Sequence, residues 1–280
     1  MIVVGVDGSV TSRAAVEWAA GDAFRMREPL RLVYAVDRAP YQITRFPAGV
    51  APDALQRAGQ KALAEAVALV HERQPTVEVT AETVEGSPAG VLRELDGSAV
   101  EIVVGSRGLG GLSGALLGSV STHVAGHAHR PVVVVRGERF APRGEVVVGV
   151  DDSHECEAAL GYAFEQARLR GARLRALHAW QLPVHAFAPE VSYDLDEIGE
   201  ARRQAVSDRL AAFREKYPQV DVVEDVRSGR PVEELADASA GADLVVVGSH
   251  GRGAVASALL GSVSRGVLHQ ARCPVAVVRS

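Results

Sequence analysis

Gly105–Ser119 reads GSRGLGGLSGALLGS, and Gly248–Ser262, beginning 143 positions later, reads GSHGRGAVASALLGS. The glycines at 105, 108 and 118 return at 248, 251 and 261, and Ser119 returns as Ser262. Recurrence of a whole spacing marks an internal repeat, which constrains architecture before any single motif does. Working outward, VVGVDGS at Val3–Ser9 returns as VVGVDDS at Val147–Ser153, and PVVVVR from Pro131 returns as PVAVVR from Pro274. The chain is one unit written twice in the same order. Between the copies, GERFAPRG over 137–144 has the charge, proline and glycine of a short linker. The expected organisation is a first domain over 1–137, a linker over 138–144 and a second domain over 145–280.

Inside each copy, short apolar runs alternate with helical patterns. IVVGVD, LRLVYAV, VEVTAETV, VEIVVG and PVVVVR are rich in β-branched residues and have the length of strands. Their nearly continuous apolar character fits strands covered on both faces. Leu55, Ala58, Ala62, Ala66 and Leu69 fall at spacings of three and four, as do Val206, Leu210, Phe213 and Tyr217, which predicts a helix face in each copy. Alternating strands and helices predict an α/β fold, two tandem Rossmann-like domains with mostly parallel sheets and helices on both faces.

Composition excludes several function classes. Of the 280 residues, 47% are hydrophobic and 23% charged, which predicts a folded globular protein. A net charge of −5 opposes sequence-independent nucleic-acid binding, which needs a basic surface. No run approaches the roughly 20 apolar residues of a membrane span, and Met1 leads directly into IVVGVDGS with no secretory pattern. Cys156 and Cys273 lack a CxxC spacing, in keeping with a reducing compartment. A cytoplasmic protein with no membrane insertion is expected.

Each repeated loop follows a strand, EIVVG or DLVVVG, and leads into a helical run, so it sits at a strand's carboxyl end, where open α/β sheets bind ligands. Glycines let backbone N–H groups approach a ligand, and Gly118-Ser119 and Gly261-Ser262 open helices whose free N–H groups and dipoles favour an anion. Two phosphate cradles are one reading. The other is that the glycines serve only tight turns and close packing. Neither copy has the lysine of a P-loop. Gly251, Gly253 and Ala256 match GxGxxA, but the loop follows the fourth strand of its copy, and no acidic residue follows at the spacing that holds a ribose.

The pattern G-x2-G-x9-G-[ST], the opening GVDGS and the closing strand after Pro131 together resemble the ATP-binding branch of the universal stress protein family, present as a tandem pair over essentially the whole chain. The resemblance implies five-stranded parallel sheets of the adenine nucleotide alpha hydrolase-like type. It implies ATP, with Mg²⁺, at up to two sites. Phosphate contacts carry over to Gly105, Gly108, Gly118, Ser119 and Val120, and to Gly248, Gly251, Gly261, Ser262 and Val263. Asp7 and Asp151 match the family aspartate that meets the ribose or metal-bridged phosphates. A carboxylate approaches polyphosphate through a hydroxyl or Mg²⁺; the lesser alternative is that each Asp caps a turn into the following helix. Val36 and Trp180 resemble the position whose backbone recognises adenine. The copies differ where Gly8 becomes Asp152 and Arg107 becomes His250, which predicts a weaker or more Mg²⁺-dependent second site.

Other residues carry competing readings. His123, His127 and His129 have a spacing that could hold a metal, against a helix-end surface that accepts cations, and His178 and His185 stand the same way. Cys156, near a helix start, could have a lowered thiol pKa or simply pack. Ser9 and Ser153 suit helix N-caps. Arg38, Tyr41, Arg45 and Phe46 could cover a nucleotide or form a plain surface loop.

The function expected is an ATP-dependent regulator or sensor in stress or dormancy adaptation, a homodimer of tandem chains read by a protein partner. It would be no enzyme beyond slow hydrolysis. The alternatives are a slow Mg-dependent ATP hydrolase, for which no base is evident, and a nucleotide-free module that dimerises through its closing strands.

Overall fold

The computed structural model describes residues 1–37, 50–109, 117–137, 142–153, 155–181, 194–251 and 260–280, with backbone alone at 50–53 and 155. Residues 138–141 of the expected linker, Arg38, Tyr41, Arg45, Phe46 and His185 lie outside the described residues. The chain divides into two compact units, Met1–Phe140 with Arg279 and Ala141–Val278 with Ser280.

The first unit runs β1 (Ile2–Gly5), α1 (Val10–Met26), β2 (Leu30–Val36), α2 (Val50–Arg73), β3 (Val79–Glu85), α3 (Pro88–Glu94), β4 (Glu101–Gly105), α4 (Ser119–His127) and β5 (Val132–Val135). Its strand order is β3-β2-β1-β4-β5, and each pairing is parallel. The second unit repeats this as β6 (Glu145–Gly149), α5 (Glu155–Arg170), β7 (Arg173–Trp180), α6 (Leu195–Lys216), β8 (Val222–Ser228), α7 (Pro231–Ala238), β9 (Leu244–Gly248), α8 (Ser262–Gln270) and β10 (Val275–Val278). Its order is β8-β7-β6-β9-β10, again parallel throughout. In both sheets the order reverses beside the first strand. This leaves a crevice at the strand carboxyl ends, where connections leave in opposite directions.

The continuously apolar strands are buried: every residue of β5 and β10 is buried, as are Val3, Val4, Val147 and Val148. Helix faces cover them. In α6, Val206 and Leu210 are buried, and Phe213 and Tyr217 stack on Phe164 of α5 with ring centroids 5.3 and 5.5 Å apart. The predicted face of α2 is turned by about one residue, with Ala58 exposed and Gly59 and Leu63 buried, because Gly59 is where the helix receives the Tyr34 ring. Ser9 caps α1 by accepting from Ser12 N at 3.1 Å. α1 ends at Arg27 in the left-handed region at φ 57°, where the second unit has Gly171 at φ 59°.

Among the described residues no helix is long and apolar enough to cross a membrane.

Candidate functional site

Each unit has a cavity of about 500 Å³ at the carboxyl ends of its strands, within the size range of small-molecule sites. The first is walled by the ends of β1, β2 and β4 and by the starts of α3 and α4. Asp7, Gly105, Gly108, Gly118, Ser119 and Val120 all line it. Asp151, Trp180, Gly248, Gly251, Gly261, Ser262 and Val263 all line the second.

Val36 does not line the first cavity. It is 2% exposed, and its carbonyl accepts from Gly86 N at 3.2 Å, while Tyr34 and Ala35 form the wall. At the same register the second unit has Trp180, half-buried and long enough to reach the cavity. The α3 and α7 walls, Pro88, Val91 and Leu92 against Pro231 and Leu235, had a sequence signal in the repeated Gly86-Ser87-Pro88 and Gly229-Arg230-Pro231.

The glycines have different reasons. A Cβ on Gly105 would lie 2.7 Å from the Thr11 carbonyl carbon and 2.8 Å from Ser12 N, so this glycine is required where β4 passes the start of α1. A Cβ on Gly108 or on Gly251 would lie 2.6 Å from Oδ2 of Asp7 or Asp151 respectively. These glycines let the loop close onto a carboxylate in both units. Asp7 accepts from Ser9 N at 2.9 Å through Oδ1 and from Leu109 N at 3.2 Å through Oδ2. Asp151 accepts from Ser153 N at 2.9 Å and from Ser153 Oγ at 2.5 Å. The hydroxyl of Ser153 is thus committed to Asp151, where Ser9 instead caps its helix.

Gly118 N donates to Ser106 O at 2.7 Å, and Gly261 N to Ser249 O at 2.8 Å, which closes each loop. Ser121 and Ser264 brace the same carbonyls, at 3.2 and 2.9 Å. Gly118 and Gly261 are themselves the N-cap residues of α4 and α8, and among the described residues neither helix receives a side-chain cap. The first N–H groups of both helices are therefore open to a ligand anion at the cavity.

Charge differs between the cavities. Arg107 lines the first, and the carbonyl of the same residue accepts from Thr11 Oγ1. Burial, with Arg107 close by, holds the Arg136 guanidinium below its ordinary pKa. In the second, His250 lies 3.0 Å from Ser249 Oγ through Nδ1. Asp152, which takes the place of Gly8 at φ 83°, pairs with Arg202 of α6 at 3.5 Å, so its carboxylate is partly compensated.

Burial pushes the Cys156 thiol up, and the Asp151 charge adds to this, so the packing reading of that residue holds and the lowered pKa does not. Among the described residues no cluster of three His, Cys, Asp or Glu side chains could hold a metal. His123 and His127 stack at 3.8 Å, while His129 turns its Nδ1 to Asp96 at 3.0 Å. Burial, then His127 and Arg93, keep the His123 pKa low.

A family model described as the universal stress protein family matches residues 1–136 and again 143–279. The chain belongs to the universal stress protein family. A universal stress protein of Mycolicibacterium smegmatis is 39% identical over 99% of this chain and 96% of its own. The crystal structure of a universal stress protein from Archaeoglobus fulgidus matches at a TM-score of 0.74 and 21% identity, covering 99% of this chain and 95% of that one, a likeness of fold. A universal stress protein solved in complex with cAMP is 28% identical over 48% of this chain and 94% of its own, at a TM-score of 0.36.

Proposed function

We propose that this universal stress protein binds ATP in both cavities and that occupancy regulates a partner. The observation that carries the reading is the pairing, in each unit, of an uncapped helix N-terminus with a glycine loop closed onto one carboxylate at the rim of a cavity of about 500 Å³. Phosphate oxygens need several N–H donors that no side chain has already taken, and a helix dipole adds to their attraction.

In this reading the triphosphate lies on Gly105, Gly108, Gly118, Ser119 and Val120 in the first cavity, with Arg107 adding positive charge. In the second it lies on Gly248, Gly251, Gly261, Ser262 and Val263. The base and ribose extend toward Tyr34 and Ala35, or toward Ala179 and Trp180. Asp7 and Asp151 each offer one carboxylate whose lone pairs are not all used, which suits Mg²⁺, an ion that takes one or two carboxylates and completes its shell with phosphates and water. When bound, the ion would neutralise phosphate charge. No lysine lines either cavity, and in this reading the chain's own residues hold and orient the nucleotide.

The regulatory state requires that ATP bind one conformation or assembly better than another. A cytoplasmic homodimer of tandem chains is the assembly we favour. Calorimetric titration with MgATP, MgADP and cAMP tests the reading: two ATP equivalents per chain are expected, falling to one with Gly118→Val and to one with Gly261→Val. Absence of binding, or binding that both substitutions leave intact, would remove it. Turnover faster than about one per minute, lost with Asp7→Ala and Asp151→Ala, would favour the hydrolase instead.

A further inference from the structure

The two units differ in charge where the turn after the first strand faces the long helix. Gly8 becomes Asp152, and counting back along the helices from Pro75 and Pro218, Gly59 of α2 becomes Arg202 of α6. The same count sets Leu63 against Val206, and both are buried, so the two helices keep one facing. The glycines are near neighbours: a Cβ on Gly8 would stand 3.5 Å from Cβ of Ala62, one turn along α2 from Gly59. Two adjacent positions without side chains in the first unit thus carry a carboxylate and a guanidinium in the second.

These two charges meet beside the second cavity. Arg202 Nη1 lies 3.5 Å from Asp152 Oδ2, and the residues flanking Asp152, Asp151 and Ser153, line that cavity together with Arg202. The contact fixes where the guanidinium stands, and 36% of the Arg202 side chain is open to solvent. By contrast, α2 contributes none of the described residues that line the first cavity. A contact at 3.5 Å is at the limit of hydrogen bonding, whereas a guanidinium carries several N–H donors in a planar fork that suits carboxylate or phosphate. Among the described residues the Arg202 guanidinium has no other polar partner. Arg209, two turns further along α6, instead gives its Nη1 to Ser153 O at 2.9 Å. Arg202 is therefore held in place by Asp152 with most of its donors unspent.

We infer that Arg202 is an anion-recognition residue of the second cavity, its guanidinium turning from Asp152 to an anionic oxygen of the bound molecule. This rests on the nucleotide reading above, in which that oxygen belongs to a phosphate. Asp152 keeps Arg202 at the cavity before binding and competes with the ligand for it. In the first unit the arginine at the cavity is Arg107 of the glycine loop; in the second that loop position is His250, and the arginine comes from a helix. The second cavity thus reads the negative charge of its ligand through a residue that the first does not have.

The test uses the full chain carrying Gly118→Val, which closes the first cavity, and measures calorimetric affinities for adenosine, AMP, MgADP and MgATP with and without Arg202→Met. Methionine keeps an apolar stem and removes the charge. MgATP should bind about five- to tenfold more weakly with Arg202→Met, the worth of one charge-assisted hydrogen bond at a half-open position. Adenosine, which has no anionic oxygen, should bind both chains equally, and this also shows that the cavity is intact. The shortest nucleotide to show the loss names the phosphate that Arg202 takes. Removing Arg202 leaves Asp152 unpaired, so the comparison is repeated in a chain that also carries Asp152→Asn, where the loss should persist. A loss that vanishes with Asp152→Asn means that Arg202 only masks a neighbouring carboxylate, and overturns the inference. Equal MgATP affinity with and without Arg202→Met, or a loss as large for adenosine as for MgATP, overturns it too and leaves the nucleotide reading standing. So does binding in the unsubstituted chain that Gly118→Val abolishes, because the second cavity would then hold no nucleotide. If MgATP does not bind the unsubstituted chain, the nucleotide reading itself fails and takes the inference with it.

Discussion

Gly108→Ala and Gly251→Ala make a matched pair of perturbations whose size can be worked from the geometry. The added methyl would stand 2.6 Å from Oδ2 of Asp7 or Asp151, whereas ordinary contact begins near 3.4 Å. The carboxylate must retreat by about 0.8 Å from a normal contact distance. In the first unit such a retreat stretches the 3.2 Å bond from Leu109 N beyond hydrogen-bond reach. A bond to a carboxylate is worth about 1.5–3 kcal/mol, and exposure of this loop reduces that to about 1 kcal/mol, or about 3–5 °C in the unfolding temperature of a unit this size. MgATP affinity should fall about tenfold or more at the substituted cavity, since the carboxylate no longer stands where the metal or ribose needs it. Differential scanning calorimetry and titration read the two effects. Gly97→Ala and Gly241→Ala are the controls, because a Cβ there meets nothing within 4 Å. Unchanged stability and affinity in both Gly108→Ala and Gly251→Ala, or equal damage from the controls, would refute the reasoning.

Three further outcomes follow from features other than the glycine loops. Arg27→Gly should raise first-unit stability by about 1 kcal/mol by relieving a side chain from the left-handed region, and Gly171→Ala should lower second-unit stability by a similar amount; urea unfolding of both reads the pair. Asp96 is buried, which opposes its charge, but the backbone N–H groups of His129 and Arg130 and the His129 ring outweigh this and hold its carboxyl below the usual range. A lowered folded pKa contributes stability that is present above the unfolded value of about 3.9 and is lost as pH falls through the lower folded value. Asp96→Ala should therefore cost about 2 kcal/mol at pH 7 and remove that acid-range loss from the stability–pH curve. Burial pushes the Cys273 thiol up to about 12 and raises Cys156 as well; iodoacetamide at pH 8 should leave both unlabelled in the folded protein and label both in urea, and prompt labelling of the native chain would contradict the packing described.

The parts of the molecule that local pattern controls were legible in the sequence. β-branched runs such as Val132–Val135 became buried parallel strands, and the two glycine loops came to strand ends beside Asp7 and Asp151 because repeat, strand and helix start pointed to the same place. What escaped the sequence depends on a single residue's facing or on pairs far apart in the chain. Val36 and Trp180 share a register, but Trp180 lines its cavity and Val36 does not. The exchange of Gly8 and Gly59 for the pair of Asp152 and Arg202 joins a turn to a helix, and neither member is a motif alone. Cys156 sits near a helix start as expected, but desolvation decides its chemistry, and desolvation is not written in spacing.

The most direct test of two nucleotide cavities is to denature freshly purified protein and determine, by chromatography and mass, which small molecules are released and how many per chain. The account predicts adenine nucleotide approaching two per chain, or up to two after incubation with MgATP and gel filtration, falling to one with either Gly118→Val or Gly261→Val. No nucleotide released before or after incubation, together with no thermal stabilisation by MgATP at about a thousand times a micromolar dissociation constant, would contradict it.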